Sequence, residues 1–472
     1  MLVACAAGLL AGFVPLAPPA LAGSPPSGAP SSGAFLEGVD DATPAELPLM
    51  DAVAPAPALT LRLYTGCWYH QMPVERSAST WGFNDIASQL ETWNNDQVPM
   101  VVSLSYDPPV TTEPPNPSDE AAPNPEWPVL YARCAADFAR RFGSLPYLRA
   151  IDVTNEPDIP NESTSDGAMP FVQLAVVDGV EAAHQALRAG SRVKVGFSWA
   201  YATGPFDVAL FSFFRAYGGT TFDRDVGFVD MHIYPGTFAP EDPPLGVYPC
   251  SFLQAPGGRS RAVLPRSVCL RMEHVPPAAL LPSSPYSYYY SSYATVVYGV
   301  DYLRGTLMPL AGLAGSVPIL IGETGYRSSG AGTSPSPQIP FFDPGNDYDQ
   351  LEHLYGEWTA AWDLRSQPTN VGGFIWYELA DHYLPPTSSA TSYGSCSLPQ
   401  PYSGVLTNCV TGFGLYAEHT AGDYTARPVM CAYKSIVADP EAADLHPTAA
   451  IGTFDTRCPY SFTLAGEPPF NA

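Results

Sequence analysis

Positive charge is scarce in this chain. Lys and Arg number 21 against 46 Asp and Glu, a formal net charge of −25, so long-range repulsion works against nucleic acid, an anionic membrane or an acidic polymer as partner. A neutral or cationic partner fits better. No Cys-x-x-Cys pair occurs, which argues against a structural zinc centre. No Gly-x-Gly-x-x-Gly follows an early strand, so the usual mark of a dinucleotide-binding doubly wound sheet is missing. No apolar run of membrane length follows the first residues, and no membrane span is expected.

What is abundant is proline and glycine, 53 and 40 of 472 residues, with 12% aromatic and 46% hydrophobic content. That much apolar material can bury a large core, and the Pro/Gly excess points to long structured loops on a rigid scaffold. The chain opens with an apolar run from Leu2 to Val14, then Ala20-Leu21-Ala22 before Gly23. This pattern predicts a secretory signal over 1–22 and a secreted, extracellular protein. The basic n-region is missing, so a lipoprotein box at Leu2-Val3-Ala4-Cys5, displaced by a misassigned start, stays open as the alternative. Loss of the leader removes Cys5 and leaves eight cysteines, enough for four disulfides in an oxidising compartment. Cys250 with Cys269 and Cys396 with Cys409 are the expected pairs, each closing a loop-like stretch, while Cys67, Cys134, Cys431 and Cys458 are left unassigned.

A Pro/Ser/Gly linker over 23–33 leads into alternating strand and helix patterns. Strands are expected at 35–39, 59–64, 99–105, 148–154, 193–199, 226–234, 317–322 and 371–377. Helices are expected at 81–97, 128–142, 172–189, 208–217, 293–310, 349–364 and 428–437. Eight strands, the last seven each trailed by a helix, predict an α/β fold, a (β/α)8 TIM barrel with long disulfide-tied βα loops, over 34–440, followed by a short tail over 441–472. In such a barrel the chemistry lies where the strands end. Strand two carries Arg62, and strand four runs into Asn155-Glu156-Pro157. Strand six delivers His232-Ile233-Tyr234, strand seven Glu323 within ILIGETGY, and strand eight Trp376 within GFIWYELAD.

These five strand ends, in this order, resemble clan A of the glycoside hydrolases, retaining β-glycosidases on (β/α)8 barrels, over essentially the whole mature chain. The resemblance implies Glu156 as general acid/base and Glu323 as nucleophile, both catalytic. It further implies Asn155 at the substrate 2-hydroxyl, Arg62 and Tyr234 around the nucleophile, His232 in the catalytic network and Trp376 beneath the sugar. Several families of the clan, family 5 among them, place a His near the end of strand three. Here that strand reads Ser103-Leu104-Ser105-Tyr106, so the family within the clan is not resolved.

Residue chemistry leads the same way. Acetal cleavage near neutral pH needs one protonated carboxyl to assist the leaving oxygen and one ionised carboxylate to attack. A neighbouring Arg keeps the nucleophile charged. Pro157 ends the strand and fixes a turn that presents Glu156 at the rim. The expected reaction needs no cofactor and no metal, acts on a neutral polysaccharide or oligosaccharide, and is expected of a monomer. A transglycosylase on the same two carboxylates and a catalytically silent carbohydrate-binding barrel are the alternatives. Each residue has a bland reading too: Arg62 as partner of a structural carboxylate, His232 as a core histidine, Trp376 as packing, Asp152 and Asp381 as structural acids. Trp68, Tyr69, Trp127, Trp199 and Tyr201 are further candidates for stacking on sugars, and the loops over 235–285 and 378–426 are candidate walls of the substrate site.

Overall fold

Eight short segments rich in aliphatic residues become strands, and each is long enough to be buried on both faces. They are β1 (Leu36–Asp40), β2 (Thr60–Gly66), β3 (Met100–Ser105), β4 (Leu148–Asp152), β5 (Lys194–Ala200), β6 (Phe228–His232), β7 (Ile319–Thr324) and β8 (Val371–Trp376). Each pairs in parallel with its sequence neighbour, and β1 pairs with β8 to close the barrel. The protein is a (β/α)8 barrel, as its alternating pattern predicts.

The computed structural model describes residues 35–67, 83, 86–105, 127–158, 172–200, 205–236, 264–265, 268, 287–328, 345–381, 413–420, 422–445 and 458–464. The leader, the linker, the Cys250–Cys269 and Cys396–Cys409 pairs, Trp68, Tyr69, Tyr201, the side chain of Trp127 and most of the two long loops lie outside the described residues. Phe35–Ala472 separates as one unit by chain contacts.

Helices return the chain between strands: α1 (Leu47–Val53), α2 (Ala87–Asn95), α3 (Trp127–Phe142), α4 (Val172–Ala186), α5 (Pro205–Asp225), α6 (Ser287–Tyr302) and, past a π turn at Leu303–Leu307, α7 (Met308–Ala311). Next come α8 (Asp347–Asp363), α9 (Pro428–Ala438) and α10 (Pro440–Leu445). Their apolar faces and the outer faces of the strands build one large core that includes Trp93, Trp199, Trp358 and Trp376. A second, small cluster fills the lumen: Val101, Ala150, Phe228, Leu320 and Ile375, with Leu36 against them. This apolar floor fixes the parity of the six strands that supply it, because residues two further along point to the same side, and the register of Arg62 with Val101 and of Gly196 with Phe228 carries it to β2 and β5.

Four departures from the sequence reading have physical causes. Helix α5 runs on past Tyr217 to Asp225 because Gly219 (φ 57°, ψ −143°) joins two helical stretches across a kink, where Gly218-Gly219 alone suggests a stop. Helix α6 starts at Ser287, six residues before Tyr293. Strand β7 continues to Thr324, so Glu323 lies within the strand. The region after β8 contains a hairpin, β9 (Tyr416–Thr420) and β10 (Asp423–Ala426), which β11 (Ser461–Thr463) extends to three antiparallel strands. Its turn uses Gly422 at φ 81°, the left-handed region that glycine enters without penalty.

Two disulfides join the four cysteines left unassigned. Cys67 after β2 bonds Cys134 on α3, and Cys431 on α9 bonds Cys458 beside β11, tying the tail to the barrel.

Candidate active site

Above the apolar floor the lumen turns ionic. Strand parity puts Asp40 of β1, Arg62 and Tyr64 of β2, Ser103 of β3, Asp152 of β4 and Asp230, His232 and Tyr234 of and after β6 on the inner side. Arg62 is the centre, fully buried. Its Nη1 donates to Asp40 Oδ2 at 3.0 Å, to Glu323 Oε1 at 2.6 Å and to the Tyr64 hydroxyl. Its Nη2 lies 3.3 Å from Asp152 Oδ2, 3.0 Å from His232 Nε2 and 3.5 Å from Asn155 Oδ1, and its Nε lies 3.3 Å from Asp230 Oδ2. Asp152, Asp230 and His232 offer donor atoms close enough together to hold a metal ion, but the guanidinium already occupies that position against all three.

Glu323 reaches this network through an irregularity. With Leu320 in the floor, strict alternation would send Glu323 outward. The register of β7 shifts against both neighbours, between Met231 and His232 on β6 and between Ile321 and Thr324 on its own strand. This bulge re-aims the carboxylate into the mouth. Gly322 makes room for the arrangement, since a Cβ there would stand 2.0 Å from Asp230 Oδ1.

The Glu323 carboxylate accepts from Tyr64 at 2.6 Å and from Tyr234 at 2.8 Å besides Arg62. Burial works to raise its pKa, but His232, Arg62 and the two tyrosine hydroxyls outweigh burial and hold it below its ordinary value, so Glu323 is ionised at neutral pH. Tyr64 and Tyr234 stay protonated, their pKa values raised mainly by burial. Burial pushes Asp40 and Asp152 up to about 8, against the pull of Arg62.

His232 links the two glutamates. Its Nδ1 lies 2.9 Å from Glu156 Oε1 and 3.2 Å from Glu323 Oε1. Arg62 Nη2 has only protons to offer, so a neutral His232 keeps its lone pair on Nε2, and Nδ1 carries hydrogen in either charge state. Burial lowers the His232 pKa, yet Glu323, helped by Asp230 and Glu156, raises it well above its ordinary value. Carboxylate oxygens of Glu156 and Glu323 approach within 4.8 Å.

Arg62, Asn155, Glu156, His232, Tyr234 and Glu323 therefore meet in one mouth. Trp376 does not join them. It shares the outer core with the helices, is fully buried, and donates Nε1–H to the Phe413 carbonyl at 3.0 Å. Ile375 belongs to the lumen floor, so Tyr377, the residue after β8, lies on the mouth side. Its ring packs edge-on against Tyr234 at 6.0 Å and Phe413 at 5.5 Å. Adjacent aromatics in GFIWYELAD leave the parity ambiguous, and only the floor residue resolves it. Trp199, a stacking candidate from its sequence position, is fully buried against Phe211 and Tyr302. Asp381 pairs with Arg427 at 2.5 Å and accepts from Gly414 N–H, a structural role.

The sequence reading also missed Asp40, Tyr64 and Asp230. Tyr64 and Asp230 each stand two residues from a chosen one, Arg62 and His232, and the period of two was the available signal.

No family model matches the sequence, and no curated protein does. Solved structures of similar fold include a family 39 glycoside hydrolase from Bacteroides cellulosilyticus WH2, at 12% identity and TM-score 0.45 over 87% of this chain and 64% of that one. A GH5_18 protein from Streptomyces cattleya, in complex with GlcNAc, has 12% identity and TM-score 0.45 over 86% of this chain and 80% of that one. The β-glycosidase of Thermosphaera aggregans has 15% identity and TM-score 0.43 over 84% of each chain.

Proposed function

We propose that this protein is a secreted retaining β-glycoside hydrolase that cleaves a neutral polysaccharide or oligosaccharide, with Glu323 as nucleophile and Glu156 as general acid/base. The observation that carries the reading is the approach of the Glu156 and Glu323 carboxylate oxygens within 4.8 Å. Retaining pairs stand about 5 to 5.5 Å apart, whereas inverting pairs leave roughly 6.5 to 9.5 Å for a water.

In the first step a Glu323 oxygen attacks the anomeric carbon, the bond to the leaving oxygen breaks, and Glu156 gives that oxygen its proton. In the second, water attacks the same carbon, Glu156 takes a proton from it, and the bond to Glu323 breaks to regenerate the carboxylate. Tyr64, Tyr234 and Arg62 hold Glu323 as an anion aimed into the mouth. Tyr377 offers an apolar ring beside it, the surface a pyranose face would meet. His232 donates to whichever carboxylate is charged.

Two disulfides support an oxidising compartment, and no helix among the described residues is long and apolar enough to cross a membrane. The test is the anomer first released from an active β-glycoside, followed by proton NMR before mutarotation. The β anomer is expected; the α anomer as first product would exclude retention.

A further inference from the structure

We infer that Ser198 is a positioning residue that clamps the backbone of Glu156 in the conformation from which its carboxyl can serve as acid and base. The inference rests on the proposed role of Glu156. Strand β5 (KVGFSWA) has one charged residue, Lys194, exposed at its first position and away from the mouth.

The parallel ladder between β4 and β5 pairs Ala150 with Lys194, Ile151 with Val195 and Asp152 with Gly196. One more backbone bond follows, Val153 N–H to Gly196 C=O at 2.9 Å. The chain then turns away from β5. Glu156 adopts φ 45°, the left-handed region, which costs a non-glycine residue about 1 to 2 kcal/mol and persists only where surroundings enforce it. Pro157 has no N–H with which to continue the ladder.

Side chains of β5 take over where the ladder stops. The Ser198 hydroxyl accepts the Glu156 N–H at 2.7 Å and donates to the Thr154 carbonyl at 2.7 Å, so one group bridges the residues on either side of Asn155. Ser198 and Thr154 are fully buried, and no solvent competes for the bridge. Two residues on, the roles reverse: Asp158 Oδ1 accepts the Ala200 N–H at 2.8 Å. The turn is thus pinned at both sides of Glu156 and Pro157, and the pinned backbone sets the 2.9 Å contact of Glu156 Oε1 with His232 Nδ1. The clamp touches Glu156 alone of the catalytic pair; Glu323 is held from β2 and β6. Its loss therefore falls on proton transfer and leaves nucleophilic attack intact.

The test is Ser198→Ala, with Ser198→Cys as a milder change to be read by the same criteria if the alanine variant does not fold. Both are assayed with matched 2,4-dinitrophenyl and phenyl β-glycosides of whichever sugar the wild type turns over fastest among gluco, galacto, manno and xylo forms. The dinitrophenyl group departs without a proton, so its kcat/KM should stay within about twofold while that of the phenyl glycoside falls about 10- to 100-fold, part of what general acid catalysis contributes. Equal losses on both substrates, or none on either, overturn the inference. If the wild type turns over none of them, the glycosidase reading fails by itself, and crystal structures of wild type and variant decide the clamp. A lost Glu156–His232 contact with a changed φ at Glu156 supports it; an unaltered turn refutes it.

Discussion

Glu156 and Glu323 meet at one nitrogen: His232 Nδ1 stands 2.9 Å from Oε1 of the first and 3.2 Å from Oε1 of the second. A single donor between two carboxyls can follow the charge as it moves from one to the other through a two-step displacement. The four bonding partners of Glu323 supply its charge state, and that asymmetry separates the roles.

The roles can be told apart by rescue. Glu156→Ala should still glycosylate with a dinitrophenyl glycoside and then stall, and azide should restore turnover and yield a β-glycosyl azide. Glu323→Ala should lose turnover of every substrate. If Glu323→Ala instead yields the β-glycosyl azide while Glu156→Ala loses hydrolysis of every substrate, the assignment is reversed.

Arg62 faces Asp40, Asp152, Asp230 and Glu323. Arg62→Met strands these acids without their cation, and removing one partner of a buried ion pair costs about 3 to 5 kcal/mol. Denaturant unfolding should show a loss of that order together with a fall in kcat. A loss below about 1 kcal/mol would mean that the buried pair of Arg62 with Glu323 contributes little to stability.

Stability should decline as pH rises from about 5 to 8. Asp40 and Asp152 have folded pKa values raised to about 8 by burial, so the native state binds more protons than the unfolded chain across that window and is penalised as they leave. The raised His232 pKa acts in the same direction. Calorimetric melting of wild type and Asp152→Asn across this range should give a shallower decline in the variant; parallel curves would remove Asp152 from the account.

Tyr377 and Trp376 should separate function from packing. Tyr377→Ala is expected to lower kcat/KM about tenfold with little change in melting. Trp376→Phe removes the bond to the Phe413 carbonyl and should cost about 1 kcal/mol of stability with kcat/KM nearly kept. The opposite pattern in paired kinetics and melting would restore Trp376 to the sugar.

The strand order and the strand-end residues were legible because parallel barrel strands are short aliphatic runs with chemistry at one end, as LRAIDVTNEPD and ILIGETGY show. The parity of a strand was less so. Trp376 and Tyr377 are equally aromatic, and only Ile375 in the lumen floor decides between them. The bulge that turns Glu323 inward has no signature in a six-residue strand, and its inward aim followed from the role that the resemblance implied. Ser198 carries no charge and lies 42 positions from the turn it holds, beyond the reach of any local pattern. The hairpin Tyr416–Ala426 was hidden because its strands are short and polar and follow on a Pro- and Ser-rich stretch over 385–403. The disulfide Cys67–Cys134 spans 67 positions, and sequence spacing favoured the short loops instead.

The central claim, that Glu323 forms a covalent bond to the sugar, is tested most directly by trapping. An activated 2-deoxy-2-fluoro β-glycoside slows both steps, the second more when its leaving group is good, and leaves the intermediate to accumulate. Peptide mapping by mass spectrometry should find one fluoroglycosyl group on the peptide that contains Glu323 and none on Glu156. A label on Glu156, or an active enzyme that accumulates no label and releases the inverted anomer, would contradict the account.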